Sequence, residues 1–294
     1  MKKKIFRWAK VLILVYCTIG IAFYYLQDKL LLHPEPMARD SKYNFSQPYS
    51  EINLPYNKET NLNIIQFRST ASTHLVADSA MTSLQADSAS AAALRKDSGS
   101  KGVVLYFHGN KGNIGHYARH TTDFTDKGYE VWMMDYPGFG KSTGILSEQK
   151  LYDYALQLYK LARSRYKPAQ IIIYGKSLGT GIAVQLASVR DCRRLILECP
   201  YYSMTSVFRQ YMFIYPVSTL LHYHFPSYEF LSAVTAPISI FHGTSDGLIP
   251  ISNAERLKPL LKPGDEFIPI EGAGHNNLED YPLFHQKLDS LLIL

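Results

Sequence analysis

Three side chains of this sequence, Ser177, Asp246 and His275, are of the types that acyl transfer through a nucleophile requires. A serine hydroxyl is a weak nucleophile; it needs a general base, and the base needs an acid to orient it. Ser177 lies in Ile171-Ile-Ile-Tyr-Gly175-Lys-Ser177-Leu-Gly179, where a β-branched run leads into Gly-x-Ser-x-Gly and a stretch of helical composition follows. Strand, sharp turn and helix together lift a serine Oγ above a sheet edge, and glycines let strand and helix approach. Asp246 sits just past the buried-type strand of Pro237-Ile-Ser-Ile-Phe-His-Gly243-Thr-Ser-Asp246, and His275 sits in the loop Glu271-Gly-Ala-Gly-His275-Asn-Asn after Phe267-Ile-Pro-Ile. The oxyanion of such a reaction needs two backbone N–H donors. One is the amide of Leu178, at a helix start directly after the nucleophile. The other is assigned to Asn110, in the loop that follows Val103-Val-Leu-Tyr-Phe-His108-Gly109.

Competing readings attach to several of these positions. Ser177 can also be read as a helix N-cap, His275 as a solvent-facing loop histidine, and Asp246 as a residue that closes a turn. Glu198, at the end of Leu195-Ile-Leu-Glu-Cys, is a rival for the acid. His108 and His242 each stand before a glycine at a strand end and are read as making structural hydrogen bonds, and Asp135 as organising the Pro-Gly-Phe-Gly turn. Gly109-Asn-Lys-Gly-Asn-Ile-Gly lacks the Lys-Ser/Thr ending of a phosphate loop. The ten histidines are scattered, with His222 and His224 the closest pair. No metal or cofactor is expected.

The elements that must position these residues alternate regularly. Strands are expected at Val103–Phe107, Glu130–Met134, Ile171–Tyr174, Leu195–Glu198, Ile238–Phe241 and Glu266–Ile270, with a helix over Leu151–Tyr166 that Pro168 ends. Such alternation implies right-handed crossovers and a mainly parallel central sheet flanked by helices, an α/β fold. Ser177, Asp246 and His275 then all fall beyond strand carboxyl ends, where open α/β sheets hold their sites. Ser50–Leu54 and Leu62–Phe67 read as an antiparallel hairpin that opens the sheet. Between them and the first parallel strand, residues 69–101 are rich in Ala, Ser and Asp and repeat Ala77-Asp-Ser-Ala, Ala86-Asp-Ser-Ala and Lys96-Asp-Ser-Gly. That composition cannot support a core; it is read as a surface insertion with one transient helix around Ala89 to Lys96. Residues 200–235 form a longer, aromatic-rich connection, read as a small cap or lid, with Tyr201, Tyr202 and Phe208 the candidate substrate-binding residues.

Net charge is +6, but Lys2, Lys3, Lys4, Arg7 and Lys10 carry most of it, so the remainder is near neutral and gives no argument for nucleic acid. Those charges precede Val11 to Leu26, a charge-free apolar run of 16 residues, somewhat short of the ~20 a spanning helix uses. Ile5, Phe6 and Trp8 extend it, and Tyr24 and Tyr25 sit where an aromatic belt lies. Residues 1–29 are thus read as a basic cytoplasmic tail and single membrane-spanning helix, with residues 30–294 as the enzyme domain on the non-cytoplasmic side. A cleavable signal peptide, with a secreted or periplasmic product, is the alternative reading. Cys192 and Cys199 flank one strand, about 23 Å apart if extended, against the ~6 Å of a disulfide; no disulfide is expected.

The motifs His-Gly-Asn-x-Gly-Asn-Ile-Gly, Asp135-Tyr-Pro-Gly-Phe-Gly-Lys-Ser-Thr-Gly144, Gly-Lys-Ser-Leu-Gly, His-Gly-Thr-x-Asp-x-x-Ile-Pro and Gly-Ala-Gly-His-Asn-Asn-Leu, in this order, resemble those of the membrane-anchored α/β-hydrolase-domain serine hydrolases. The resemblance runs from about Leu30 to the C-terminus, apart from the insertion. It implies the α/β-hydrolase fold and cleavage of an acyl ester or thioester of a lipid-like or small acyl substrate, without cofactor or obligate protein partner. A peptidase or amidase of the same fold, and a non-catalytic membrane-tethered binding module, are the alternatives. The group says little about which acyl chain is taken.

Overall fold

The computed structural model describes residues 2–70 and 99–293. Most of the segment 69–101, including the helix expected around Ala89 to Lys96, lies outside the described residues. Along the rest, strands β1 His33–Pro34, β2 Tyr49–Pro55, β3 Asn61–Phe67, β4 Gly102–Phe107, β5 Lys111–Gly112, β6 Tyr129–Met134, β7 Ile171–Lys176, β8 Arg194–Glu198, β9 Ile238–Gly243 and β10 Glu266–Ile270 appear in chain order. Eight of them form one sheet in the order β10-β9-β8-β7-β4-β6-β3-β2. The β2–β3 and β3–β6 pairs are antiparallel and all others parallel.

Both faces of this sheet are covered, which is why its central strands read as unbroken apolar runs. Val103, Leu105, Phe107, Ile171 and Ile173 face one core with the helices Glu148–Arg163 and Leu178–Val189. Val104, Tyr106, Ile172 and Tyr174 face the other, with helix Pro282–Leu292. Strand order reverses at β4: the chain leaves it toward β6 on one side and returns to β7 on the other. The carboxyl ends of β4 and β7 therefore border a crevice at a topological switch point, the usual place for a ligand.

The expected strands hold to within two residues at either end. The helix expected over Leu151–Tyr166 begins one turn earlier, at Glu148, because the Ser147 hydroxyl accepts the Lys150 amide as its N-cap. It closes at Arg163, ahead of the extended Lys167 that Pro168 requires. At the N-terminus the first helix runs Lys2–Leu31, two residues past the expected boundary at 29. Gly20, Phe23, Gln27 and Leu31 form a buried stripe along it, spaced three or four residues apart. Leu31 and Leu32 enter the main core, and His33–Pro34 pairs with Lys111–Gly112 as a two-stranded ladder that has no sequence signal.

Candidate active site

The turn that presents Ser177 is strained. Ser177 has φ 51° and ψ −117°, outside the regions open to ordinary L-residues. A Cβ at Gly175 would lie 2.6 Å from the Gly179 carbonyl oxygen, and one at Gly179 would lie 2.1 Å from that of Phe107. Both glycines are thus required by close approach of the elbow to its own helix and to β4. The backbone is held by the Ser177 amide donating to the Glu198 carbonyl (2.9 Å) and by the Thr180 amide donating to the Ser177 carbonyl (2.9 Å).

Ser177 Oγ lies 2.8 Å from His275 Nε2, and His275 Nδ1 lies 2.7 Å from Asp246 Oδ2. A carboxylate can only accept, so the imidazole donates from Nδ1 and its Nε2 is left to accept the serine proton. Asp246 is fixed by the Leu248 and Ile249 amides, which donate to Oδ1 at 2.9 and 2.8 Å. Burial would raise its pKa, but the His275 hydrogen bond and charge, the Ile249 amide and His242 bring the net shift below the ordinary carboxylate value. Asp246 therefore does close a turn, as its alternative reading has it, and meets the imidazole with its second oxygen. Cys199, Asp246 and His275 bring donor atoms within 4.8 Å of one another. Both imidazole nitrogens and both carboxylate oxygens are already engaged, so a metal could bind there only by breaking this chain of hydrogen bonds.

The loop after β4 lies beside Ser177. A Cβ built at Gly109 would stand 3.7 Å from Ser177 Cβ, so the Gly109–Asn110 turn lies against Ser177. Asn110 is tied at both polar ends, its carbonyl accepting from the His33 amide (2.8 Å) and its side chain donating to the Leu31 carbonyl (2.5 Å). Leu178 is the first residue of its helix, where amides lack intrahelical partners. Asp135 does more than organise its own turn. It accepts the Ile114 amide (2.9 Å) and the Tyr43 hydroxyl (2.9 Å), bracing the loop after β4 from behind. His108 and His242 bond to the Gly109 and Ile249 carbonyls, each at 2.8 Å, which agrees with structural roles.

Glu198, the rival acid, points elsewhere. It pairs across strands with Lys176 and also takes the Tyr174 hydroxyl, both contacts being short. Lys176 reaches Glu279 as well, at 3.7 Å. This buried network beside the elbow was not foreseen, although Lys176 sits inside the Gly-x-Ser-x-Gly stretch and alternation puts it on the Tyr174 face. Burial holds neighbouring His120 at a pKa of about 4, so it is neutral near pH 7.

Ser177 and His275 open into a cavity of about 580 Å³. Its lining is partly apolar, with Met204, Val207, Phe208 and Ile249, and partly polar, with His116, Arg119, Lys176 and Glu279. Of the three cap aromatics, Tyr201 and Phe208 line it. Tyr201 also donates to the Leu178 carbonyl at 3.0 Å. Tyr202 is a correction: it is not among the lining residues, but stacks on Tyr228 at 4.4 Å beneath the Arg256 guanidinium. The helix end was missed as a wall, since Leu30, Leu31 and His33 all line the cavity; no local pattern marks it.

Residues 98–232 match the family model described as serine aminopeptidase, S33. Several structures share the fold over most of their length. A Pyrococcus furiosus esterase superposes with a TM-score of 0.62 at 15% identity, covering 89% of this chain and 97% of its own. Est1E of Butyrivibrio proteoclasticus, with ferulic acid bound, gives 0.60 at 14% identity, covering 82% and 97%. The chain belongs to the α/β-hydrolase superfamily. Within it, the chain is 33% identical over 202 residues to alpha/beta hydrolase domain-containing protein 17C of Xenopus tropicalis, covering 68% of this chain and 64% of that protein. An uncharacterized protein of Mycobacterium tuberculosis is 33% identical over 183 residues, covering 62% and 65%. The chain thus spans somewhat under two thirds of the length of these relatives.

Proposed function

We propose that this chain is a membrane-anchored serine hydrolase that cleaves acyl esters or thioesters through Ser177, His275 and Asp246. The observation that carries this reading is the unbroken hydrogen-bond chain from Ser177 Oγ through His275 to Asp246 at the floor of a half-apolar cavity. As Ser177 Oγ attacks the carbonyl carbon, His275 Nε2 takes its proton. The negative oxygen of the tetrahedral intermediate is stabilised by the Leu178 and Asn110 amides. The bond to the leaving group breaks, His275 returns the proton to that group, and an acyl-enzyme remains. Water, deprotonated by His275, then attacks the ester and frees the acid and Ser177. The apolar lining residues Met204, Val207 and Phe208 receive the acyl chain, and the polar ones the leaving group.

The anchor is the helix Lys2–Leu31, long and apolar enough to cross a membrane by length and composition. With the basic residues ahead of the apolar run, the N-terminus stays cytoplasmic and the hydrolase domain faces the opposite side.

Hydrolysis of p-nitrophenyl esters and matching thioesters of increasing chain length, by the full chain in detergent, tests the reading. A rise in kcat/KM up to medium or long chains supports it, at roughly 0.8 kcal/mol for each methylene buried. No turnover by folded protein on any of them overturns it. Asp246→Asn gives a sharper expectation. An amide can still accept from Leu248 and Ile249, but its nitrogen faces the imidazole and favours the wrong tautomer. The expected loss in kcat is on the order of 10⁴-fold, with the thermal midpoint little changed.

A further inference from the structure

The N-terminal helix does not simply tether the domain; it is packed along the cap. Tyr16 and Tyr215 stack with centroids 4.5 Å apart and parallel planes. Each hydroxyl donates to backbone of the other element, Tyr16 to the Ile214 carbonyl (3.1 Å) and Tyr215 to the Tyr16 carbonyl (3.0 Å). Further down, Phe23 packs on Phe208 and Val217, and Gln27 donates to the Leu220 carbonyl while accepting the His222 amide.

This packing has a geometric consequence. If Val11 to Leu26 lies in hydrocarbon, Tyr16 stands about 15 Å above the Leu26 end at 1.5 Å per residue, close to the middle of a ~30 Å layer. Whatever touches Tyr16 is then at acyl-chain depth too. The cap loop suits that depth. No Asp, Glu, Lys or Arg occurs between Arg209 and Glu229. Phe213 is 79% exposed and Ile214 58%, an apolar tip that is left open among the described residues. The reciprocal tyrosine bonds satisfy within the protein polar groups that lipid cannot satisfy. Two residues before the tip, Tyr211 lines the cavity and donates to the Leu248 carbonyl (3.1 Å), and Leu30 and Leu248, both largely exposed, line it as well.

We propose that the loop at Phe213 and Ile214 penetrates the bilayer beside the N-terminal helix, and that the rim of Leu30, Tyr211 and Leu248 meets the lipid, so that an acyl chain enters the cavity from the membrane. The proposal rests on the membrane-anchored hydrolase reading and narrows its substrate to a bilayer-resident acyl lipid.

The test uses the full chain in phosphatidylcholine vesicles. Phe213→Trp is placed in a Trp8→Phe background, where the only other tryptophan is the fully buried Trp132. Quenching of the new tryptophan by lipids brominated on their acyl chains, with little quenching by acrylamide, is the expected result. Quenching by acrylamide alone overturns the proposal; protection from both quenchers also overturns it, and points to a protein partner on the patch. In the second arm, the Phe213→Ser/Ile214→Ser double variant is expected to lose roughly tenfold or more of the rate on a long-chain acylglycerol held in vesicles. Its rate on a soluble short-chain ester stays unchanged, because neither residue lines the cavity. Equal loss, or no loss, on both substrates overturns the entry route. The underlying readings fail differently: a wild-type Trp8 untouched by brominated lipid removes the anchor, and absence of any turnover with Phe213→Trp quenched by lipid removes the hydrolase alone.

Discussion

Replacing Ser177 by alanine is expected to abolish ester turnover, lowering kcat by roughly 10⁴–10⁶-fold, and to remove covalent labelling by a fluorophosphonate. The geometry makes the effect specific. His275 Nε2 is 2.8 Å from this one hydroxyl, and no other side chain is recorded in a hydrogen bond with it among the described residues. The backbone at residue 177 is held by its own amide and carbonyl, through Glu198 and Thr180, so alanine keeps the elbow standing. Its φ of 51° is strained for serine and alanine alike, and the thermal midpoint should move little. Retention of turnover or labelling in Ser177→Ala would falsify the assignment of the nucleophile. Retention of a cellular role by the inert protein would instead favour a tethered binding module.

The second large effect is on stability. Lys176→Met should destabilise the domain by about 3–5 kcal/mol, the usual result of stranding one member of a buried ion pair. Lys176 and Glu198 are 5% and 2% exposed, and directly opposed on neighbouring strands. Burial opposes both charges, yet the partner's field wins: Glu198 is held below the ordinary carboxylate pKa and Lys176 above its own ordinary value. The signs set the pH windows. The contribution from Glu198, like that from Asp246, is present above the unfolded carboxylate value and is lost as pH falls through the depressed folded one. The contribution from Lys176 is complete below its unfolded pKa and is lost only as pH rises through the raised folded one. In Lys176→Met the unpaired Glu198 instead favours its protonated form. The gap between wild type and variant, read by urea unfolding in detergent, should therefore be widest near neutrality and narrow toward acid pH. The double variant Lys176→Met/Glu198→Leu should recover much of the loss, because an apolar pair of similar volume leaves no charge stranded. A single variant as stable as wild type at neutral pH would show that the pair contributes nothing.

Much of the site could be read from local sequence because each part is a local device. Gly-Lys-Ser-Leu-Gly after a β-branched run is a strand–turn–helix whose geometry is set by its own glycines. Asp246 and His275 each follow an apolar strand by a few residues, and a parallel sheet brings all such strand ends to one edge. Even the antiparallel start of the sheet is visible in the two clusters around Ile52 and Ile64. Boundaries were less clear where a cap decided them: Ser147 moves the start of its helix by a turn, at a place where apolar periodicity is silent.

What no local pattern carried was the pairing of distant elements. Whether Glu198 or Asp246 met the imidazole depended on which way each strand end faced, and β8 turned its carboxylate to the Lys176 opposite. Tyr201 and Tyr202 are chemically alike and adjacent, yet one lines the cavity while the other is stacked between Tyr228 and Arg256. The helix Lys2–Leu31 announces itself by hydropathy, but its buried stripe and its contribution of Leu30 and Leu31 to the cavity wall do not. Periodicity and turn chemistry act over a few residues and are written into the order of the chain. Contacts such as Tyr16 with Tyr215, 199 positions apart, exist only once the chain has folded, because shape and hydrogen-bond satisfaction are properties of two surfaces together.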